Sequence, residues 1–587
     1  MCTEVNLRET TPPALFMDRE SWEELPEKLE DPFFRRLHES NLEALERLAD
    51  VDEPDTQRRR LKNRLERAVV AWYLTRQQRY LRMAIEALEL TCREDEQWRV
   101  TDDSIEMIRC ANLATGELLY NAAFGYDALH PYLPDSLKRE CVDAIVEKGL
   151  AAYLEGLRLE DWWVKCDFNW NSALHGNAGL AALTVRNEAP DLAERVLDEA
   201  LCGLPYMIGN FPRGGGWIEG AMYCCTAMGH LTDFVVAYHR LTGKDLDLLK
   251  NRNFHDTITW LTCMQGGDGR TYNFSDAHAG RGGVALPHLF WWARILDRPD
   301  WAHALERHAH HGPASRSLFH DVAAFWYREP FQPTRPPERK PLRHFEGLDW
   351  LTWRGDRTWL AFRSGFNGGN HDNDDLGNFI LGAGDERFLC DPGYGTYEAS
   401  RHNCITVRRF EQTDCATARI TRLEEFDGGF YLCCDIQEAF PHVTRHYDRH
   451  LLLADDEHLL LVDDVLGTDD IRTTVRSHLQ TRLPCRETDE GWLIEGERNA
   501  LRVINLSPAG WKRSDRWQPG RRHQHSITCL SWKRDYDRVH TVHATLLTFG
   551  DTDYEYSEDD AGLQVCIDGT TCRFAHRADG RLGFGGA

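Results

Sequence analysis

The chain has 587 residues, and 94 Asp and Glu against 69 Lys and Arg leave a formal charge of −25. With 42% hydrophobic and 11% aromatic residues it can fill large cores, which argues against general disorder and for more than one domain. So acidic a surface disfavours nucleic acid and anionic membranes as partners, and no apolar run reaches the roughly 18–20 residues that cross a bilayer.

The opening MCTEVNLRETTPPALFMDRE has no basic region followed by an apolar stretch, and the 18 Cys are scattered without CxxC pairs. Free thiols used as small core residues, and a cytoplasmic location unless a signal has been removed, are the expectations. The first 330 or so residues then read as helix after helix. Between Ser136 and Leu157, apolar residues at Leu137, Cys141, Ile145, Leu150, Tyr153 and Leu157 keep the three-four spacing of one buried stripe. Similar stripes run over Arg58–Leu74, Tyr80–Cys92, Ile105–Leu129, Leu192–Ile208, Tyr223–Leu241 and Leu286–Leu296. Short connections between them predict antiparallel helical hairpins, as a bundle, a solenoid or a closed ring.

PFQPTRPPERKP (Pro330–Pro341) cannot continue a helix and predicts an extended linker. Beyond it the stretches are short, β-rich and turn-bounded: Thr358–Ser364, Phe430–Ile436, and His450–Val465 as two strands about an ADDEH turn. The predicted architecture is α+β and multidomain, with a helical domain over 1–335 and an antiparallel β-sandwich over 336–587.

Three segments gather polar and Gly residues among aromatics. In DWWVKCDFNWNSALHGNAGLAAL (Asp161–Leu183), Asn169, Asn171, His175 and Asn177 share a helix start with Trp162, Trp163 and Trp170, so amide donors stand beside rings that stack on sugars. In RGGGWIEGAMYCC (Arg213–Cys225), a Gly-rich approach leads to Trp217, Glu219 and Tyr223. The third, FNGGNHDNDDLGNFILGAGDERFLCDPGYGTYEASRHNCITV (Phe366–Val407), holds Asn370, His371, Asp372, Asn373, Asp374 and Asp375, then Asp391 and His402. Asn373, Asp391 and His402 offer two oxygens and an imidazole, a set that suits Zn²⁺ or Mn²⁺. No P-loop, HExxH, GxSxG elbow or dinucleotide-binding glycine pattern is present.

The third segment resembles the C-terminal signature of the heparinase II/III-like polysaccharide lyases, and NWNSALHGNAGLAAL and GGGWIEGAMY resemble that family's helical-domain motifs in the same order. The resemblance implies an incomplete (α/α) toroid followed by a β-sandwich, with the active site in the cleft between them. It implies β-elimination of uronic-acid polysaccharides such as heparan or chondroitin sulfate, hyaluronan or alginate, so the expected partner is an anionic polysaccharide or oligosaccharide. It assigns Tyr223 as the catalytic tyrosine, Asn171 (or Asn169) as the asparagine that neutralises the uronate carboxylate, and His371 as the histidine of the β-domain, with His175 a second polar group beside the asparagines. Asp391 and His402 match metal ligands, but Asn373 stands where several metal-containing members carry a second His. That departure weighs toward Mn²⁺ or no metal.

The chemistry matches these residue types. Removal of the C5 proton puts charge on the neighbouring carboxylate, and amide or imidazole donors aimed at its oxygens stabilise that charge. A tyrosine phenolate can take the proton and return it to the leaving O4; a histidine can instead act as base with the tyrosine as acid. Lys165, Arg213, Arg270, Arg281, Arg363 and Arg401 are candidate cations for an anionic substrate, with Trp170, Trp217, Glu219 and Asn370 also expected to line its site. The rival readings are a glycoside hydrolase drawing on Glu219, Asp372 and Asp374, and a carbohydrate-binding protein without catalysis.

Overall fold

The computed structural model describes residues 11–49, 57–93, 98, 110–280, 286–309, 321–408, 410–468, 474–507, 509–520, 526–534 and 540–586. Two compact units emerge. One comprises Met1–Pro212, Tyr223–Thr259 and Gly282–Pro337; the other comprises Arg213–Met222, Trp260–Arg281 and Glu338–Ala587.

The first unit is helical, and successive helices pair across short connections, as Gln57–Thr75 does with Gln78–Arg93. Leu113–Leu129 is buried on nearly every side from Thr115 onward, as a helix apolar all round must be. Glycine sets its approach to a neighbour: a Cβ on Gly116 would stand 2.3 Å from the Ala173 carbonyl oxygen. The stripe expected over Ile105–Leu129 is realised from Leu113; residues 105–109 lie outside the described residues. The Ser136–Leu157 stripe forms as Asp135–Asp143, a π-helical turn Ala144–Leu150, and Ala151–Arg158. Phe16, Trp22, Phe124, Trp326 and Tyr327 cluster with ring centroids 5.2–6.3 Å apart. The proline-rich segment after Tyr327 is extended and mostly exposed, as its composition predicts.

The second unit is built on antiparallel sheets. Five strands, Leu342–Phe345, Trp350–Arg354, Thr358–Arg363, Phe379–Ala383 and Glu386–Leu389, pair in that order in one sheet. A nine-stranded sheet has the hairpin Thr444–Ala454/His458–Gly467 near its middle, turning at Asp455–Glu457 as the ADDEH signal predicts. That hairpin is buried on both faces, which is why its sequence is a continuous apolar run. Leu451, Leu453, Leu459 and Leu461 enter one core, while Leu452, Leu460 and Val462 enter a second shared with the four C-terminal strands Tyr554–Asp559, Gly562–Ile567, Thr570–His576 and Leu582–Gly586. Two-residue periodicity thus sorts one run of leucines between two cores. No helix among the described residues is long and apolar enough to cross a membrane, and the described cysteines are free thiols.

Candidate active site

The loop from Ser364 to Asn378, between the strands Thr358–Arg363 and Phe379–Ala383, carries the polar run. It is braced from below by two buried arginines. Arg363 is fully buried, ion-paired with both Asp372 and Asp375, and donates to the Asn373 carbonyl at 3.2 Å. Arg449 pairs with Asp463 at 2.7 Å and reaches the Gly377 and Asn403 carbonyls at 2.7 and 2.6 Å. Arg363 is therefore engaged in holding the loop, and the structure does not offer it as the substrate-binding cation expected from sequence.

Above this base, His371 adopts left-handed backbone (φ 56°), a conformation that costs a non-glycine residue energy. Its Nδ1 lies 3.0 Å from Asp276 Oδ2, the Asp276 amide donates to the His371 carbonyl at 3.0 Å, and Asp276 Oδ1 accepts the Gly395 amide at 2.6 Å. Asp276 is buried while the His371 side chain keeps 27% of its surface exposed, so a fixed carboxylate orients an accessible imidazole. Ser275 beside it donates to Asp372 at 3.1 Å. Asp276 and Ser275 went unrecognised in the sequence because YNFSDAHAG has no periodicity or motif spacing linking it to residues a hundred positions on. Tyr397 (54% exposed) stands on the same loop system, its hydroxyl pKa raised first by Asp276.

The Gly-rich segment places its residues as a second group. Gly220 has φ +82°, and a Cβ there would meet the Phe274 carbonyl oxygen at 2.6 Å, so only glycine lets the chain pass. Trp217 Nε1 donates to Glu219 Oε2 at 3.0 Å and Asn370 Nδ2 to Glu219 Oε1 at 2.8 Å. Trp217, Glu219 and Asn370 are thus brought together, but Trp217 and Glu219 are buried and only Asn370 is exposed. Arg213 is exposed and Arg401 half-buried. Lys165 is exposed and Arg270 half-buried, while Arg281 lies outside the described residues.

In the helical unit Tyr223 is half-buried in the first turn of Gly220–Thr242. Asn171 is fully buried, with Nδ2 donating to the Gly203 carbonyl at 3.0 Å. Trp170 is half-buried beside Trp162, their centroids 4.8 Å apart, with Phe168 stacked on Trp162 at 5.6 Å. His175 is enclosed: Nδ1 meets the Tyr153 hydroxyl at 2.7 Å, Nε2 meets the Val164 carbonyl at 3.0 Å, and burial pushes its pKa down to about 4. The structure therefore gives His175 a core role, with both ring nitrogens occupied.

Of the expected metal ligands, Asp391 and His402 come together with Asp375; all three are buried, with one ligand atom each within 4.8 Å of the others. The amide of Asn373 faces the Asp372 and Thr396 carbonyls. Donor chemistry tests whether an ion belongs among the three. Asn378 Nδ2 already donates to Asp375 Oδ2 at 2.8 Å and to Asp391 Oδ2 at 2.7 Å, and its orientation is fixed because Oδ1 accepts the Asn403 amide at 3.1 Å. His402 bonds Asp391 through Nδ1 at 2.9 Å and the Thr396 carbonyl through Nε2 at 3.0 Å. Burial opposes its charge, but the Asp391 and Asp375 carboxylates prevail and hold its pKa at about 9. The Asn378 amide joins both carboxylates, so these residues form a closed hydrogen-bond network, although two carboxylates and an imidazole are also donor types that could hold a divalent ion.

Helical hairpins followed by layered antiparallel sheets, with a carboxylate-oriented histidine on the strand-linking loop, define the toroid plus β-sandwich class. Residues 337–524 match the family described as Heparinase II/III-like, C-terminal, so the resemblance read from the motifs holds for the segment that carries His371. Solved structures share the fold. The chain is similar to a heparinase III (TM-score 0.65, 11% identity, 98% of this chain and 93% of that one) and to the heparan sulfate lyase HepC of Pedobacter heparinus (0.60, 12%, 89% and 82%). It is similar also to a chondroitin AC lyase of Streptomyces coelicolor A3 solved with chondroitin sulphate (0.53, 10%, 98% and 87%). No curated protein sequence matches the chain.

Proposed function

We propose that the protein is a carbon–oxygen lyase that cleaves uronic-acid-containing polysaccharides by β-elimination, leaving a 4,5-unsaturated uronate. The observation that carries this reading is the His371–Asp276 pair: an accessible imidazole held by a buried carboxylate on a strained loop, within the segment that matches the family. An imidazole so oriented can neutralise the substrate carboxylate as a donor or take the C5 proton as a base. Tyr223 supplies the acid to O4, and also the base where C5–H and O4 lie on one side of the ring. For the amide donor we favour Asn169 over Asn171, since Asn171 Nδ2 is committed to the Gly203 carbonyl. The half-exposed Trp162, Phe168 and Trp170 rings offer faces on which sugars stack.

The hydrolase reading needs two available carboxyl groups flanking the bond. Glu219 has both oxygens bonded to Trp217 and Asn370, and Asp372 is ion-paired with Arg363, which leaves Asp374 without a partner acid. No step is routed through a metal. Elemental analysis and chelation address that directly: activity indifferent to chelator supports the network read at Asp375, Asp391 and His402, and activity restored only by Mn²⁺ or Zn²⁺ overturns it. For the reaction itself, mass analysis of products separates elimination, in which no water is added, from hydrolysis, in which one is.

A further inference from the structure

The nine-stranded sheet carries a second group of potential ligands, far along the chain from the loop of His371. His446 lies on Thr444–Ala454, Asp464 on His458–Gly467 and His540 at the start of His540–Thr548, three adjacent strands. The register fixes their side chains on one face: His446 and His540 both pair with Leu466, and Asp464 is two residues from Leu466 on the same strand. One ligand atom from each lies within 4.8 Å of the others.

We propose that His446, Asp464 and His540 form a binding site for a first-row divalent transition ion of the Zn²⁺ class, with water or His576 completing the shell. Two imidazoles and one carboxylate are the donor types such ions take. His446 is 3% exposed, and its Nε2 has no hydrogen-bond partner among the described residues although it points at Asp464 Oδ1 from 3.3 Å. That contact lies within ion-pair range but outside hydrogen-bond geometry, and coordination to an ion would replace it with a direct bond. The spacing also fits, since ligand atoms about 2.0 Å from a tetrahedral centre stand about 3.3 Å apart. His540 Nε2, now 2.5 Å from the same oxygen, would open by less than 1 Å.

The surroundings support the carboxylate as a ligand. Asp464 Oδ2 accepts the Leu582 amide at 2.7 Å, which orients the group and leaves Oδ1 toward the imidazoles, as an outer-shell partner does. The His540 side chain is 28% exposed, giving an entry path, and the His576 ring lies 5.1 Å from it, centroid to centroid. His576 pairs with Leu582 in the C-terminal sheet, so an ion here would tie that sheet to the central one.

Neighbouring candidates compare poorly. In Cys433, Asp448 and His450, Arg581 already neutralises Asp448 at 2.8 Å and burial pushes the Cys433 thiol up to about 11. Asp375, Asp391 and His402 are closed by Asn378. The inference stands whether or not the chain is a lyase.

The test is titration of the metal-stripped full chain with Co²⁺, read by visible absorption and metal content, with circular dichroism as the check on folding. The site is expected to take one Co²⁺ displaceable by Zn²⁺, without a thiolate charge-transfer band, and to raise Tm. Because loss of a mere outer-shell partner costs roughly 10–100-fold, His446→Gln and His540→Gln should each weaken binding at least that much, and Cys433→Ser should leave it unchanged. Should His446→Gln fail to fold, His540→Gln, at the strand's start, carries the reading alone. No stoichiometric binding, binding indifferent to the folded His variants, or a thiolate band lost in Cys433→Ser would each overturn the assignment.

Discussion

Asp276 makes the sharpest claim at the scale of single residues. It touches His371 and not the substrate, so it is a positioning residue, and Asp276→Asn should lower kcat roughly 100-fold while leaving KM near its parent value and moving the pH profile of kcat. A merely structural role would lower the amount of folded protein without moving that profile. Arg363 is a different case: Arg363→Met leaves two buried carboxylates uncompensated, and chemical denaturation should show a loss of about 3–5 kcal/mol. Asp374 predicts a pH effect. Burial, then Asp414 and Asp375, lift its pKa from 3.8 to about 7. The folded state therefore holds a proton that the unfolded chain releases, and the stability this provides below pH 4 is lost as pH rises through 7. Asp374→Asn does not titrate, so at pH 8 it should be the more stable protein by about 1 kcal/mol after allowance for its partial exposure, with the difference narrowing toward pH 4 in thermal melts at both pH values.

Elements differ in how far the sequence disclosed them. The helical stripes and the ADDEH hairpin were legible because periodicity and turn chemistry are local. The π-helical turn Ala144–Leu150 was not, since it inserts into a stripe whose spacing it barely alters. Nor was the association of Arg213–Met222 and Trp260–Arg281 with the β-rich unit, which depends on tertiary contacts that no local pattern encodes. Arg363 shows the same limit at the site: a strand-end arginine beside acidic residues reads equally as a substrate cation or a buried brace, and only the fold places Asp372 and Asp375 against it. The doubly buried hairpin gives an energetic test. Leu451→Ala should cost about 2–5 kcal/mol, whereas Trp517→Ala, at a residue 64% exposed, should stay within about 0.5 kcal/mol in the same unfolding assay.

For the whole molecule, the charge of −25 constrains recognition. An anionic polysaccharide can bind only where cations are concentrated, and binding should weaken steeply as salt rises toward the range where the screening length is about 8 Å. The resemblance located three ordered motifs, and the structure added Asp276 as the orienting partner for the histidine one of them contains. The central claim is elimination, and it is tested most directly by following near-ultraviolet absorbance while the protein acts on heparan sulfate, chondroitin sulfate, hyaluronan and alginate. A steady rise is expected on at least one polymer, reduced at least 100-fold in folded Tyr223→Phe and His371→Ala. New reducing ends without the chromophore, or undiminished turnover in both variants, would contradict it.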